Sequence, residues 1–340
     1  MLHTRKGRRL GLLGLVLLLL AVSLAGCVIG SASVSVADVL RVIASRVGLY
    51  DGANSTADTI IWSLRMPRVV LAALAGASLS MSGAAMQGMF RNALADPALI
   101  GVSGGGALGA VGAAVLGGSL AVMPPAAIVG ALATTALVYR LAKVGHRVQS
   151  QTMLLAGLAV NALSGALVGF LIQIAPYEQI RGVLFWLLGS LSGATWRVCG
   201  IAALFVTVPL LLLPRHSRAL NAMLLGDAEA FHLGYDVRRV KRSCVTLSAC
   251  MVGASVAFCG AIGFVGLVVP HVVRMLFGPD HRILLPASAL GGALLMVLAD
   301  IAARTLDAPA ELPVGVLTAL MGAPFFLYLI QTRKSGLNLK

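Results

Sequence analysis

The chain has 340 residues, of which 59% are hydrophobic and 11% charged, and its mean hydropathy is +0.94. Soluble domains carry about 25% charged residues, so this composition excludes an ordinary soluble protein. A spanning helix needs roughly 20 apolar residues, which leaves room for about ten spans. On a soluble protein the net charge of +14 would suggest a nucleic-acid partner. In a membrane protein it reports which side of the bilayer each loop faces, so we expect contact with lipid and no nucleic-acid partner.

Small residues are abundant, with 39 glycines in the chain. They let helix backbones approach closely, so they predict a dense helical bundle. The five cysteines have no C-x-x-C spacing and lie within or at the ends of apolar runs. They indicate neither a disulfide framework nor a thiolate metal site, and we interpret them as packing residues.

The first apolar run begins at Leu10, directly after Arg5, Lys6, Arg8 and Arg9. Residues 24–27 (Leu-Ala-Gly-Cys) resemble the cleavage box of a bacterial lipoprotein signal, which is the alternative interpretation. We favour an uncleaved first helix, because a lipid-anchored protein does not normally carry nine further spans. Both interpretations start the chain in the cytoplasm.

Nine further apolar runs follow, which makes ten predicted spans. They cover 69–89, 98–117, 121–142, 152–174, 198–214, 243–258, 262–276, 284–304 and 313–331. The weakest divisions lie between the third and fourth spans, at Gly117-Gly118, and between the seventh and eighth, at 260–263.

The charged residues divide unequally between the two sides of this topology. With an inside N-terminus, 19 of the 26 basic residues and five of the 12 acidic ones lie inside, and seven of each lie outside. The inside therefore carries the whole excess of +14 and the outside is neutral, as the positive-inside tendency requires. This distribution predicts that both termini are cytoplasmic.

The predicted bundle interior has few ionisable residues. Asp300 stands four residues before Arg304, which indicates a local ion pair at a helix end. All six histidines lie in loops or at helix ends. Ion-coupled carriers usually keep ionisable groups at membrane depth, so such a carrier is the less favoured alternative.

The sequence also gives little support to an enzyme. It contains no G-x-x-x-x-G-K-[ST] phosphate loop. The G-x-G-x-x-G match at 104–109 overlaps a G-x-x-x-G-x-x-x-G run from Gly101, which favours close helix packing. Residues 101–105 also fit a G-x-S-x-G nucleophile pattern around Ser103, but no histidine at membrane depth is available as its base. An intramembrane serine enzyme therefore stays a minor alternative.

Three helix breaks adjoin membrane runs, at 91–97, 185–193 and 260–271, and the second is interpreted as a short helix. Non-helical backbone at that depth is tolerated where it is buried in protein or lines a cavity. The long inside loop 215–242 is different, because residues 223–234 predict one or two short amphipathic helices with glycines at both ends. We interpret them as a docking element for a soluble partner. An interfacial helix on lipid is the alternative, but such helices tend to be rich in Lys and Arg.

Motifs along nearly the whole chain resemble those of a known family. They are Arg-Met-Pro-Arg at 65–68, the small-residue stretch 76–87, the break at 91–97, Leu-Ala-Gly at 155–157, the segment 226–234, the run 260–271 that ends in Val-Val-Pro-His, Ala-Asp-Ile-Ala-Ala-Arg at 299–304, Glu-Leu-Pro-Val-Gly at 311–315 and Gly-Ala-Pro at 322–324. With them the chain resembles the FecCD or cobalamin-permease-like family. Its members are membrane subunits of binding-protein-dependent ABC importers for iron chelates, haem and cobalamin.

The resemblance implies an all-α integral membrane protein of about ten helices with the type II ABC importer permease fold, and a single transmembrane domain over 1–340. It implies a multi-pass protein of the bacterial inner membrane, paired with a second copy or a paralogue. The other implied partners are a periplasmic substrate-binding protein and two cytoplasmic ATPase subunits. No cofactor is expected on this chain, and ATP is used by the ATPase. The motifs do not distinguish ferric siderophore, haem and cobalamin; we rank ferric siderophore first on its frequency in the family.

The resemblance also implies roles for individual residues. Docking of the binding protein falls to three arginines, Arg65, Arg68 and Arg304. Coupling to the ATPase falls to Gly226, Asp227, Ala230, Leu233 and Gly234. The cytoplasmic gate falls to Asn92, Leu94, Gln149 and Ser150. The translocation path falls to Asn161, Gly189, Ser190 and Gly193.

Overall fold

The computed structural model describes residues 5–30, 32–49, 56–117, 120–145, 147–308 and 310–337. These residues are mostly helical, and the only strands among them form a two-residue antiparallel pair, β1 (Lys143–Val144) and β2 (Arg147–Val148). The first seven helices are α1 (Arg5–Val28), α2 (Val36–Arg46), α3 (Met66–Phe90), α4 (Val102–Gly117), α5 (Met123–Leu141), α6 (Ser150–Ile174) and α7 (Tyr177–Leu187). The remaining helices are α8 (Trp196–Leu212), α9 (Ser217–Met223), α10 (Asp227–His232), α11 (Val237–Cys259), α12 (Val265–Phe277), α13 (His281–Thr305) and α14 (Val314–Leu337).

The helices confirm the prediction of about ten spans. Within the described residues, seven helical stretches are long and apolar enough to cross a membrane, and three shorter apolar helices lie at Val102–Gly117, Val265–Phe277 and Val314–Tyr328. The break predicted at 260–263 is present, because these residues separate α11 from α12 without helical structure. Gly118, in the break predicted between the third and fourth spans, lies outside the described residues.

Helix α3 forms the centre of the bundle, packed against α8, α11, α12 and α13. Continuous with a π-helical segment at Thr59–Arg65, it is buried over nearly its whole length. Glycines allow this packing: a methyl group at Gly76 would overlap the carbonyl of Gly292, and one at Gly83 would overlap that of Gly266. Small residues therefore set the helix spacing, which confirms the packing predicted from the glycine content.

The Gly-x-x-x-Gly run of α4 packs closely against α5. A methyl group at Gly109 would overlap the Ala126 carbonyl, and one at Gly130 would overlap that of Gly105. The Thr134 hydroxyl donates to the Gly101 carbonyl across the same contact at 2.9 Å. These residues form a helix-packing face, as the sequence predicts.

One predicted helix is displaced in the structure. The short helix expected at 185–193 is α7, which ends at Leu187, and Gly189 to Gly193 form a turn. Gly189 has a φ of +79°, which is unfavourable for residues with a Cβ and ends the helix. In the long loop, α10 lies between Gly226 and Gly234, whose φ angles are +141° and +87°, as the flanking glycines predict.

Candidate functional site

The predicted site residues lie mainly at opposite ends of one helix pair. Helices α3 and α13 run antiparallel: Arg68 at the start of α3 meets Asp300 near the end of α13, and Gly88 at the other end packs on His281. At about 1.5 Å per residue, the 25 residues of α3 separate these ends by roughly 37 Å. Such a distance matches the thickness of a bilayer.

The three predicted docking arginines surround one cavity. Arg65, Arg68 and Arg304 line a cleft of about 380 Å³ together with Glu311 and residues 191, 192 and 194. We call this cleft the arginine cavity. All three arginines are buried, with exposed fractions of 6%, 8% and 8%. They therefore line the cleft without projecting far into solvent.

Two carboxylates hold Arg68. Its Nε donates to Asp300 Oδ1 at 2.6 Å, and its Nη1 donates to both oxygens of Glu311 at 2.8 Å. Asp300 is fully buried, whereas the Glu311 side chain is 37% exposed. The local pair predicted between Asp300 and Arg304 is present at 3.1 Å. Asp300 is thus shared by two arginines.

Arg65 and Arg304 bind the last turn of α1 and the residues that follow it. Arg65 donates to the carbonyls of Cys27, Val28 and Ala32, at 3.0, 2.6 and 2.6 Å. Arg304 donates to the carbonyls of Gly26 and Ile29 at 3.0 and 3.3 Å. Carbonyls do not neutralise a cation, so three arginines against two carboxylates leave a positive charge around the cavity. This charge suits an acidic ligand.

The turn after α7 adjoins this cavity. Leu191, Ser192 and Ala194 line it, so the predicted path residues Gly189, Ser190 and Gly193 lie in the same turn. Gly189 is buried, Ser190 Oγ is 2.9 Å from Ser192 Oγ, and Gly193 is exposed.

Three glycines bring separate segments together behind that turn. A methyl group at Gly260 would overlap the Trp186 carbonyl, and one at Gly315 would overlap the Leu188 carbonyl. Gly189 itself lies against the Ala261 carbonyl. The end of α7, the break before α12 and the start of α14 therefore meet backbone to backbone. This contact explains why the sequence carries glycine at all three positions.

The predicted coupling residues lie at the opposite end of the bundle. Asn221, just before α10, donates to Asp280, which caps α13 at the end far from the arginine cavity. Within the segment, Ala230 is fully buried and anchors α10, whereas Phe231 and Leu233 are 68% and 61% exposed. This short helix is anchored on one side and presents apolar side chains on the other. We call the segment 226–234 the coupling segment.

The first pair of predicted gate residues follows α3 at this same end. Asn92 Oδ1 accepts from the Leu94 amide at 2.9 Å, which closes a tight turn and leaves Leu94 exposed. The next carboxylate, Asp96, accepts from the Ala98 amide at 2.8 Å and caps the 3₁₀ helix Pro97–Ile100. Burial raises the pKa of the Asp96 carboxyl, and the bond from Ala98 opposes this shift.

The second pair lies at the start of α6. Gln149 is the exposed N-cap residue, and Ser150 is the first helical residue. The Ser150 hydroxyl accepts from Lys241 Nζ at 3.2 Å, and Lys241 also pairs with Asp227 of α10 at 2.5 Å. The structure thus joins a predicted gate residue to a predicted coupling residue through a lysine that sequence reasoning missed. Its position among Arg238, Arg239 and Arg242 made it look like one more inside charge.

Asn161, predicted to line the path, has a packing role in this chain. Its Nδ2 donates to the Ala98 carbonyl at 2.8 Å, and its Oδ1 accepts from the Gly104 amide at 3.2 Å. It therefore ties the middle of α6 to the start of α4. Among the described residues, no group of three or more His, Cys, Asp and Glu side chains is arranged to hold a metal ion.

A bundle of about ten apolar helices, with a basic cavity at one end and an exposed apolar helix at the other, defines a multi-pass transport permease. Residues 15–332 match the model of the FecCD transport family. The chain is 45% identical over 293 residues to the cobalamin import system permease protein BtuC of Halobacterium salinarum, covering 86% of this chain and 79% of that protein. It is 46% identical over 292 residues to the hemin transport system permease protein HmuU of Yersinia pestis, covering 83% and 86%.

A solved structure shares the fold. The chain matches a metal-chelate type ABC transporter in an inward-facing conformation with a TM-score of 0.84 and 34% identity, covering 94% of this chain and 98% of that chain. PsaBC from Streptococcus pneumoniae matches with a TM-score of 0.55 and 16% identity, which shows the fold alone. The chain therefore belongs to the FecCD transport family and has the fold of an ABC transporter permease.

Proposed function

We propose that this chain is the permease subunit of an ATP-driven importer that moves a metal chelate from the periplasm to the cytoplasm of a bacterial cell. One observation carries the proposal. The coupling segment presents Phe231 and Leu233 to solvent at one end of the bundle, and a positively charged cavity lies at the other end. An ATPase docks on the first feature, and an acidic surface of a binding protein docks on the second.

The cargo is a preformed metal complex, and we rank ferric siderophore before haem and cobalamin. Two relatives are named for cobalamin and hemin transport, both of which are bulky chelates. A cargo that carries its own ligands needs none from the path. In the described residues the path segment 189–194 offers serine hydroxyls and backbone groups, with no metal-ligating cluster. Selectivity then lies in the binding protein.

The subunit composition of the transporter follows from these separate roles of the permease, the ATPase and the binding protein. Two permease copies, or this chain and a paralogue, enclose the path, and two ATPase subunits bind the coupling segments. The excess of basic residues on one side of the predicted topology supports a cytoplasmic coupling segment and cytoplasmic termini. The chain itself binds no ATP in this scheme. Closure of the ATPase on ATP supplies the energy.

Replacement of Leu233 tests the proposal at the coupling segment. Leu233 is 61% exposed, so Leu233→Glu leaves the bundle core untouched and places a charge in the proposed apolar contact. We expect weaker retention of the ATPase on co-purification and a loss of ATP-driven uptake. Leu233→Met, which keeps the volume and apolar character, is the matched control and should behave as wild type. Unchanged ATPase retention and uptake in Leu233→Glu would refute the assignment of this segment.

The cargo is tested in parallel. Reconstituted transporter is supplied with a ferric hydroxamate siderophore, haemin or cobalamin on the binding-protein side, and accumulation is measured with ATP on the other. We expect the ferric siderophore to accumulate most. Accumulation of haemin or cobalamin alone would replace the siderophore as cargo and leave the importer assignment intact.

A further inference from the structure

Lys241 is a buried lysine that joins three elements at the coupling end. It lies in the first two turns of α11 and is 3% exposed. Its Nζ donates to Asp227 Oδ2 of α10 at 2.5 Å. It also donates to the Val148 carbonyl, just before α6, and to Oγ of Ser150, the first residue of α6, at 3.2 Å in both cases. A single ammonium group therefore contacts the coupling helix and the first turn of a spanning helix at once.

The Lys241 ammonium lies at the N-terminus of α6, where it does not stabilise that helix. The N-terminus of a helix carries a partial positive charge, which repels a cation, yet Lys241 is held against Val148 and Ser150 there. A buried ammonium also loses its hydration and needs a carboxylate to compensate. Asp227 provides that carboxylate from α10. The lysine is thus stable beside α6 only while α10 stays in place.

The coupling helix has few other polar attachments to the bundle. Of its two carboxylates, Asp227 pairs with Lys241, whereas Glu229 forms no ion pair with another described residue. Ala230 adds an apolar anchor, whose contact is not directional. The ion pair is therefore the directional contact through which a displacement of α10 acts on the rest of the bundle.

Resting on the proposed function, we propose that Lys241 is the positioning residue that transmits displacement of the coupling segment to the first turn of α6. When the ATPase moves α10, the Asp227–Lys241 pair carries Ser150 and the start of α6 with it. Gln149 and Ser150, which the family resemblance predicts to form part of the gate, then move together with the coupling segment. The inference concerns transmission, so it separates binding of the ATPase from opening of the path.

Hydrogen exchange on the complete transporter in lipid measures the two steps separately. Residues 226–234 report docking of the ATPase, and residues 149–154 report the response of α6 to ATP. The variants are Lys241→Met, which keeps the length of the side chain without its charge, and Lys241→Arg, which keeps the charge. Arg239→Met is the matched control, because Arg239 stands two residues away on the same helix with a 78% exposed side chain and only an i,i+3 partner.

We expect Lys241→Met to keep ATPase-dependent protection at 226–234 and to lose the ATP-dependent change at 149–154. Uptake per ATP hydrolysed should fall about tenfold, within the usual range of coupling between sites. Lys241→Arg should restore both, and Arg239→Met should match wild type. If Lys241→Met does not fold, Asp227→Asn breaks the same pair from its partly exposed side and should give the same pattern.

Two different results would overturn the inference, and each refutes a different part of the argument. A folded Lys241→Met or Asp227→Asn variant that keeps the change at 149–154 and wild-type uptake per ATP refutes the role of Lys241 alone. Absence of protection at 226–234 in the wild-type transporter refutes ATPase docking on the coupling segment, and with it the proposed function.

Discussion

Replacement of Asp300 by asparagine is expected to destabilise the bundle strongly. Asp300 is fully buried and is shared by two arginines, with Arg68 at 2.6 Å and Arg304 at 3.1 Å. Asparagine keeps the shape but removes the charge, which leaves Arg304 with backbone carbonyls and Arg68 with only Glu311. Loss of one partner from a buried ion pair costs about 3 kcal/mol or more, because the remaining charge stays uncompensated.

Glu311→Gln is the matched control for this prediction. It removes a carboxylate from the same arginine, but the Glu311 side chain is 37% exposed, so solvent compensates and the cost is about 1 kcal/mol or less. The assay is thermal unfolding of the purified protein in detergent, followed by the fluorescence of its three tryptophans. We expect a clear fall in the apparent melting temperature for Asp300→Asn and a small one for Glu311→Gln. Equal shifts, or none for Asp300→Asn, would refute the assignment of the buried charge.

Two further predictions use other contacts. Gly157→Ala should destabilise the protein by about 1 to 3 kcal/mol, because its methyl group would overlap the Leu99 carbonyl. Gly165→Ala on the same helix is the control, since a methyl group there meets nothing within 4 Å in the chain, and it should be close to neutral in the same thermal assay. Equal effects of the two substitutions would contradict the packing. Glu311→Gln should tighten docking of an acidic binding protein at low salt by up to about fivefold, because it removes a competing carboxylate from Arg68. Unchanged docking in surface-binding measurements would show that the partner does not meet the arginine cavity.

The spans and their packing could be predicted from the sequence, because both depend on local pattern. Apolar runs of about 20 residues predict spanning helices. The Gly-x-x-x-Gly run from Gly101 predicts a close contact between helices. The pair of Asp300 and Arg304 is equally local, since four residues bring side chains together on one helix face. In each case the residues that interact are near one another in the chain.

The long-range contacts could not be predicted in this way. Arg68 and Glu311 are 243 residues apart, and no spacing rule joins them. The charge distribution predicts that the docking arginines lie on the outer side, but it does not predict that the fold buries them around one cavity. Lys241 was hidden for a related reason, because its neighbours Arg239 and Arg242 are exposed and it alone turns inward. Burial of one member of a charged run depends on the elements that pack over it.

The displacement of the helix predicted at 185–193 has a local cause, which is the backbone conformation of Gly189. Because Gly189 has a positive φ, the helix ends before it and covers Tyr177–Leu187. The start of α7 carries Glu178, Gln179 and Arg181, so its first turns lack the apolar pattern that predicts a spanning helix. Its amphipathic pattern fits a helix that is only half buried.

Dependence of uptake on ATP tests the proposed function most directly. The permease is reconstituted in liposomes with its ATPase and binding protein, and chelate accumulation is followed with ATP on the coupling-segment side, with and without a protonophore. We predict accumulation that requires ATP and both partners and that the protonophore leaves unchanged. Accumulation by the permease alone along an imposed proton gradient, unaffected by ATP, would contradict the proposal and identify an ion-coupled carrier.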